Sequence, residues 1–246
     1  MPTLASPPLA PLSLLQIETQ FRGRIWRGDA LGSSPDQIVS SGFDELDKAL
    51  PGGGWPTHSL TELLLPAEGL GEIRLLSQSL KHITQSGRNI LLVGPPHIPY
   101  MHAWENLDID SRRILMAKVY KTAERLWMIE QGIKSAAFGA VICWLPAANP
   151  QAMRNLQIIA RAAPSLIFLF RPVSAQIEPS AAPLRILLGP ARRQTLSIRL
   201  LKRRGAPIDL PLHITLPQIR PFFSPITPTP TLANVVDRSS LPDVIT

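Results

Sequence analysis

Two stretches of this chain are apolar at almost every position: Phe138 to Trp144 (FGAVICW) and Ser165 to Phe170 (SLIFLF). A strand with one face in water alternates apolar and polar residues, so a run without alternation needs cover on both faces. That requirement points to a parallel sheet sandwiched between helices, and the flanking sequence supplies the helices. Glu72 to Gln85 spaces Ile73, Leu76, Leu80 and Ile83 by three and four, and Thr122 to Ser135 carries Leu126, Ile129 and Ile133 on one stripe. Pro150 to Ala163 opens on a proline, which suits a first helical turn because the missing N–H is not needed there. Ser59 to Leu65, Asn89 to Val93 and Arg113 to Val119 read as the remaining strands of this alternation. After Phe170 the helical period stops. Leu184 to Leu188, Thr195 to Lys202 and Leu212 to Leu216 read as antiparallel strands closing one edge of the sheet. The fold class is therefore α/β, with a mostly parallel central sheet flanked by helices.

The 246 residues suffice for one such domain with tails. Residues 1–39 read as an N-terminal arm, with a proline-rich start, a short helix over Leu12 to Trp26 and a linker over Gly28 to Pro35. Residues 40–217 form the core, and 218–246 a proline-rich tail without periodicity, expected to be disordered. No apolar run is long enough to span a bilayer, and Met1 to Pro11 lacks the basic and apolar regions of a secretory signal. The single cysteine, Cys143, excludes an internal disulfide, and His82, His97, His102 and His213 show no metal-ligand spacing. A cytoplasmic protein without metal or cofactor is expected. The net charge of +7 gathers partly at Arg22, Arg24 and Arg27, and again at Arg192, Arg193, Arg199, Lys202, Arg203 and Arg204. Aromatic residues do not interleave with the later group, so a single-strand stacking platform is missing there. A solvated or protein-facing surface is the favoured reading, and DNA contact the lesser one.

Ser41-Gly42-Phe43-Asp44-Glu45-Leu46-Asp47, then Leu50-Pro51-Gly52-Gly53-Gly54, then Leu60-Thr61-Glu62 resembles the opening of a RecA-type ATPase core. In that family the segment leads through the first sheet strand to a phosphate loop, whose amides cradle phosphate, whose Lys neutralises it and whose hydroxyl residue holds magnesium. Here the corresponding stretch runs Pro66-Ala67-Glu68-Gly69-Leu70-Gly71-Glu72-Ile73. Pro66 stands for the leading Gly, Glu72 for the Lys and Ile73 for the hydroxyl residue. Two like charges 4 Å apart repel by about 4 kcal/mol at an effective dielectric of 20, so Glu72 reverses the lysine's contribution as well as removing it. Pro96 falls where the resemblance puts the catalytic glutamate, and Trp144 where it puts the Walker B aspartate. The resemblance thus implies a pseudo-ATPase with no catalytic and no cofactor-binding residue.

A second resemblance narrows the family. Gly139 to Pro146, followed by Ile167-Phe168-Leu169-Phe170-Arg171-Pro172-Val173-Ser174-Ala175, looks like the SulA division inhibitors. A chain with both the phosphate-loop portion and this portion is similar to the ImuA family, the SulA-related, RecA-like proteins of damage-induced mutagenesis cassettes. That implies work in SOS translesion synthesis with an ImuB-like pseudo-polymerase, a DnaE-type error-prone polymerase and RecA. The alternative is a SulA-like inhibitor that binds the tubulin-like division protein. Candidate interaction residues are Arg171, Pro172 and Ser174, at the carboxyl end of a buried strand, together with Lys202 and Arg204. At RecA-type subunit interfaces a basic pair at the latter place reaches the neighbour's nucleotide. Lys202 and Arg204, two apart, are expected on one face of a strand, with a solvated sheet edge as the plainer reading. Trp144 is expected to fill core space or to plug the nucleotide site.

Overall fold

In a computed structural model, residues 38–190 and 194–218 are described. The expected helix Leu12 to Trp26, the linker Gly28 to Pro35, the basic residues Arg22, Arg24, Arg27, Arg192 and Arg193, and the tail lie outside the described residues.

The core is an eight-stranded sheet. In chain order its strands are β3 (Ser59–Leu65), β4 (Asn89–Val93), β5 (Ile114–Ala117), β6 (Phe138–Trp144), β7 (Leu166–Pro172), β8 (Leu184–Pro190), β9 (Thr195–Lys202) and β10 (Leu212–Thr215). A short ladder of β1 (Ile38–Val39) and β2 (Trp55–Pro56) precedes them. The spatial order is β10-β9-β8-β3-β7-β6-β4-β5. The helices are α1 (Asp44–Ala49), α2 (Glu72–Gln85), α3 (Met101–Glu105), α4 (Thr122–Lys134) and α5 (Pro150–Ala160).

Both unalternating runs lie in the sheet interior: β6 pairs with β4 and β7, and β7 with β6 and β3, all parallel. Their residues take turns between two cores. Ala140, Ile142, Phe168 and Phe170 point into one with α1, α2 and α3. Val141, Cys143, Ile167 and Leu169 point into the other with α4 and α5. Every residue of β3 is buried, which explains its run of leucines.

The late strands form the antiparallel edge that the sequence suggests. β8 runs parallel to β3, and only the β8–β9 and β9–β10 pairings are antiparallel. The sense of the sheet changes between β8 and β9, so β8 joins the parallel part to the antiparallel edge. The chain between β7 and β8 is long enough to cross β3 and return in the same direction, in place of a tight reversal.

The segment Ser41 to Asp47 is held by its last residue. Asp47 accepts from the Ser40 hydroxyl (2.6 Å) and the Ser41 amide (2.8 Å), while Ser79 on α2 donates to the Ser40 carbonyl (2.8 Å). This ties the start of the core to α2, the helix that follows the loop described next.

Candidate functional site

The loop from Pro66 to Gly71 connects the carboxyl end of β3 to α2, the position where open α/β sheets present ligands. Gly71 is the N-cap of α2 at φ +105°, and a side chain there would collide with Leu216. The Leu75 amide bonds the Gly71 carbonyl at 2.9 Å and begins the helix. Glu72, the first helical residue, is only 6 % exposed. Its carboxylate turns back over the loop and accepts from the Gly69 amide at 3.2 Å and the Gly71 amide at 3.0 Å. An internal anion therefore occupies the amide donors that a loop of this shape offers to an external one, and it sits at the positive end of a helix dipole. Ile73 packs against the main core, with no hydroxyl to offer.

Beside the loop lies a cleft of about 440 Å³ between the carboxyl ends of β3, β4, β6 and β7. Pro66, Ala67 and Glu68 line it from the loop, and Gly94, Pro96, Trp144 and Phe170 line it from the strand ends and the turns after them. Trp144 is half-buried and packs edge-on against Phe170, with ring centroids 4.9 Å apart. It thus serves both as packing and as a wall of the cleft. Its indole N–H is buried with no hydrogen-bond partner. Arg125, from α4, also reaches the cleft; its Nη1 donates to the Trp144 carbonyl at 2.5 Å and its Nε to the Val119 carbonyl at 3.3 Å. At the rim, His97 Nε2 stands 3.5 Å from Glu68, both well exposed. Among the described residues no cluster of His, Cys, Asp and Glu is arranged to hold a metal, and no helix is long and apolar enough to cross a membrane.

No family model matches the chain. The RecA protein of Streptomyces venezuelae is 24 % identical over 131 residues, 53 % of this chain and 34 % of that protein. That of Streptomyces ambofaciens is 23 % identical over 131 residues, covering 53 % of this chain and 35 % of its own length. The chain is RecA-like over that stretch. The match spans about a third of the RecA chains' own length.

The other candidate residues of the RecA-like core fall into two groups. Arg171, read as an interaction residue, is 1 % exposed, and both its terminal nitrogens are engaged. Its Nη1 lies 3.3 Å from Glu62 and its Nη2 2.7 Å from Glu178, so a docking protein does not meet it on the surface. Arg185 completes the network: its Nε donates to Glu62 at 2.6 Å and its Nη2 to the Ala175 carbonyl at 2.7 Å, while Ser180 also donates to Glu62. These bonds fix the 3-10 turn Val173–Ile177, on which Ser174 is exposed, with Val173 39 % and Ile177 92 % exposed; Pro172 is half-buried at the end of β7. Lys202 is exposed and donates to the Ser180 carbonyl at 2.9 Å, which brings the end of β9 against this turn's continuation. Arg204 is exposed, but β9 stops at Lys202, so strand alternation does not place the two on one face as expected. Sequence reasoning missed Glu62, Arg185 and Arg125. The first had a signal: a carboxylate inside the apolar run Leu60 to Leu65 demands a buried cation.

Proposed function

We propose that this chain is a non-enzymatic, RecA-related accessory protein of the bacterial DNA-damage response, and specifically an ImuA-like component of error-prone translesion synthesis. It works by protein contacts, with an ImuB-like pseudo-polymerase, a DnaE-type polymerase and RecA as the partners that this reading implies. The observation that carries the non-enzymatic part is the Glu72 carboxylate seated on the Gly69 and Gly71 amides. A triphosphate arriving at the loop has to displace a bonded, buried carboxylate and then meets its charge with no lysine to offset it. Ile73 supplies no magnesium ligand, and Pro96 and Trp144 supply no base or second ligand, at the positions where the RecA resemblance expects them. The RecA-like stretch supports the DNA-damage setting. The SulA-like segment and the exposed turn beside Lys202, with Val173 and Ile177 on its surface, support action through contacts.

Calorimetric titration with magnesium-ATP tests the first part: no specific binding is expected at millimolar nucleotide, and micromolar affinity or measurable hydrolysis sinks it. Binding of the purified chain to RecA filaments formed with a non-hydrolysable nucleotide tests the second. Binding to the tubulin-like division protein in place of RecA moves the assignment to the division-inhibitor reading.

A further inference from the structure

The cleft beside the loop has an unusual balance of polar groups. Arg125 is half-buried, and no ion pair among the described residues involves it; backbone carbonyls hold two of its nitrogens. Room for it is made by Gly94, at φ +57°, where a side chain would come within 2.6 Å of the Arg125 Nε. The Trp144 indole N–H is buried without a partner, and so is the Nε–H of Arg171, a 1 % exposed side chain that lines the same cleft. All three groups are donors. Apart from Glu68 at the rim, the lining side chains offer no acceptor, and Leu65, Pro66, Leu145, Phe170 and Pro172 make the walls apolar. A half-buried cation without a counter-ion is costly and is relieved by an acceptor-rich anion; the two unpartnered donors behind the wall are closed to solvent, and an anion meets them only by shifting the side chains that cover them.

We propose that this cleft binds a singly charged carboxylate carried on an apolar body. The inference goes beyond the accessory reading above and does not depend on it. One guanidinium presents a planar fork that fits one carboxylate. A phosphate dianion needs more positive charge than is present, because Arg171 is already neutralised by Glu62 and Glu178 and the Glu68 carboxylate stands at the mouth. The volume of about 440 Å³ suits a body the size of an aromatic or branched aliphatic side chain with some backbone. The same chemistry is offered by a free apolar acid and by the terminus or an acidic side chain of a protein segment.

The test is a titration of the full chain followed by the resonance of the Trp144 indole N–H, assigned by its disappearance in Trp144→Phe. The probes are 3-phenylpropanoate, its neutral amide, and the dipeptide N-acetyl-Leu-Phe with a free carboxylate. The acids are expected to shift the indole N–H downfield and to bind at least tenfold more tightly than the amide. Arg125→Gln is expected to abolish that difference, and Arg125→Lys, which keeps the charge if Gln loosens the fold, to retain part of it. Equal binding of acid and amide overturns the proposal, as does an unmoved indole resonance at 10 mM of every acid. A dipeptide that outcompetes the free acid tenfold assigns the site to a protein segment, and the reverse order assigns it to a small molecule. Magnesium-ATP is added in a separate arm. Nucleotide that moves the Gly69 and Gly71 amides removes the pseudo-ATPase reading and leaves this one standing.

Discussion

Glu62 is wholly buried in the middle of the sheet, and its cost is met only because two arginines and a serine converge on it. Removing the carboxylate strands Arg171 and Arg185 in the interior. Glu62→Ala is therefore expected to lower unfolding stability by roughly 3–5 kcal/mol, measured by urea denaturation. Changing all three residues together, Glu62→Leu with Arg171→Met and Arg185→Met, is expected to restore most of that loss. If the triple variant is no more stable than Glu62→Ala, the cost lies in the turn backbone that Arg185 holds, and not in unpaired charge. Glu72 is a milder case. Its two amide partners lie in an exposed loop, so Glu72→Ala releases them to water and is expected to cost about 1–2 kcal/mol in the same assay. Neither residue announces its partners in the sequence. Glu62 and Arg171 lie 109 positions apart, and only the parallel pairing of β3 with β7 brings them together.

At the scale of elements, β6 shows what patterning can and cannot deliver. Its apolar run told that it is buried on both faces, and Cys143 is indeed fully buried between β4 and β7. Burial pushes the Cys143 thiol far above its ordinary range, with Arg125 opposing weakly. Two outcomes follow. A thiol-specific reagent is expected to react with Cys143 only at the rate of unfolding, so that addition of denaturant accelerates labelling by orders of magnitude. The folded chain also keeps a proton that the unfolded chain releases above its ordinary thiol pKa of about 8.5. The contribution is therefore intact below that pH and falls by about 1.4 kcal/mol per unit above it, a slope that Cys143→Ala is expected to remove. The boundaries of β3, β4, β6, β9 and α2 were legible because each is set by a local switch between apolar period and turn residues. The pairing of β8 with β3 was not, since a strand's partner depends on where the chain returns to the sheet. The loop beside the cleft was legible only through the resemblance, as residues that differ from those a RecA-type site uses. What the structure adds, a carboxylate on the loop amides and a guanidinium without an ion pair among the described residues, comes from side-chain directions that no spacing rule contains.

For the whole molecule, the resemblance to RecA raises a question of polarity in assembly. A filament of RecA type uses two different faces of each subunit: one holds the nucleotide, the other offers basic residues to the nucleotide of the neighbour. Such a heterologous interface extends only if both faces work. On the pseudo-ATPase reading proposed above, Pro66, Glu72, Ile73 and Trp144 take the places where the first face needs its phosphate and metal groups. On the second, Lys202 and Arg204 are both exposed; Lys202 has one contact, to the Ser180 carbonyl, and keeps its charge uncompensated by any carboxylate among the described residues. On the proposed reading the chain is expected to dock Lys202 and Arg204, which share an exposed end of β9 though not one strand face, on the exposed nucleotide of a terminal RecA subunit and to block further addition from its own side. It would cap one end of a filament and mark it for a mutagenic polymerase. Truncating one partner of a desolvated charge pair costs roughly 2–5 kcal/mol, so Lys202→Ala with Arg204→Ala is expected to weaken filament binding at least tenfold. The control removes equal charge at the opposite sheet edge, Arg112→Ala with Lys121→Ala, where the side chains are 88 % and 82 % exposed. It is expected to change binding less than twofold. Co-sedimentation with filaments of two lengths, at fixed total RecA, separates capping from coating: capping predicts bound protein in proportion to the number of ends. Binding that follows filament mass, or equal binding by the Lys202/Arg204 double variant and the unaltered chain, removes the capping model while leaving the RecA-like core as it stands.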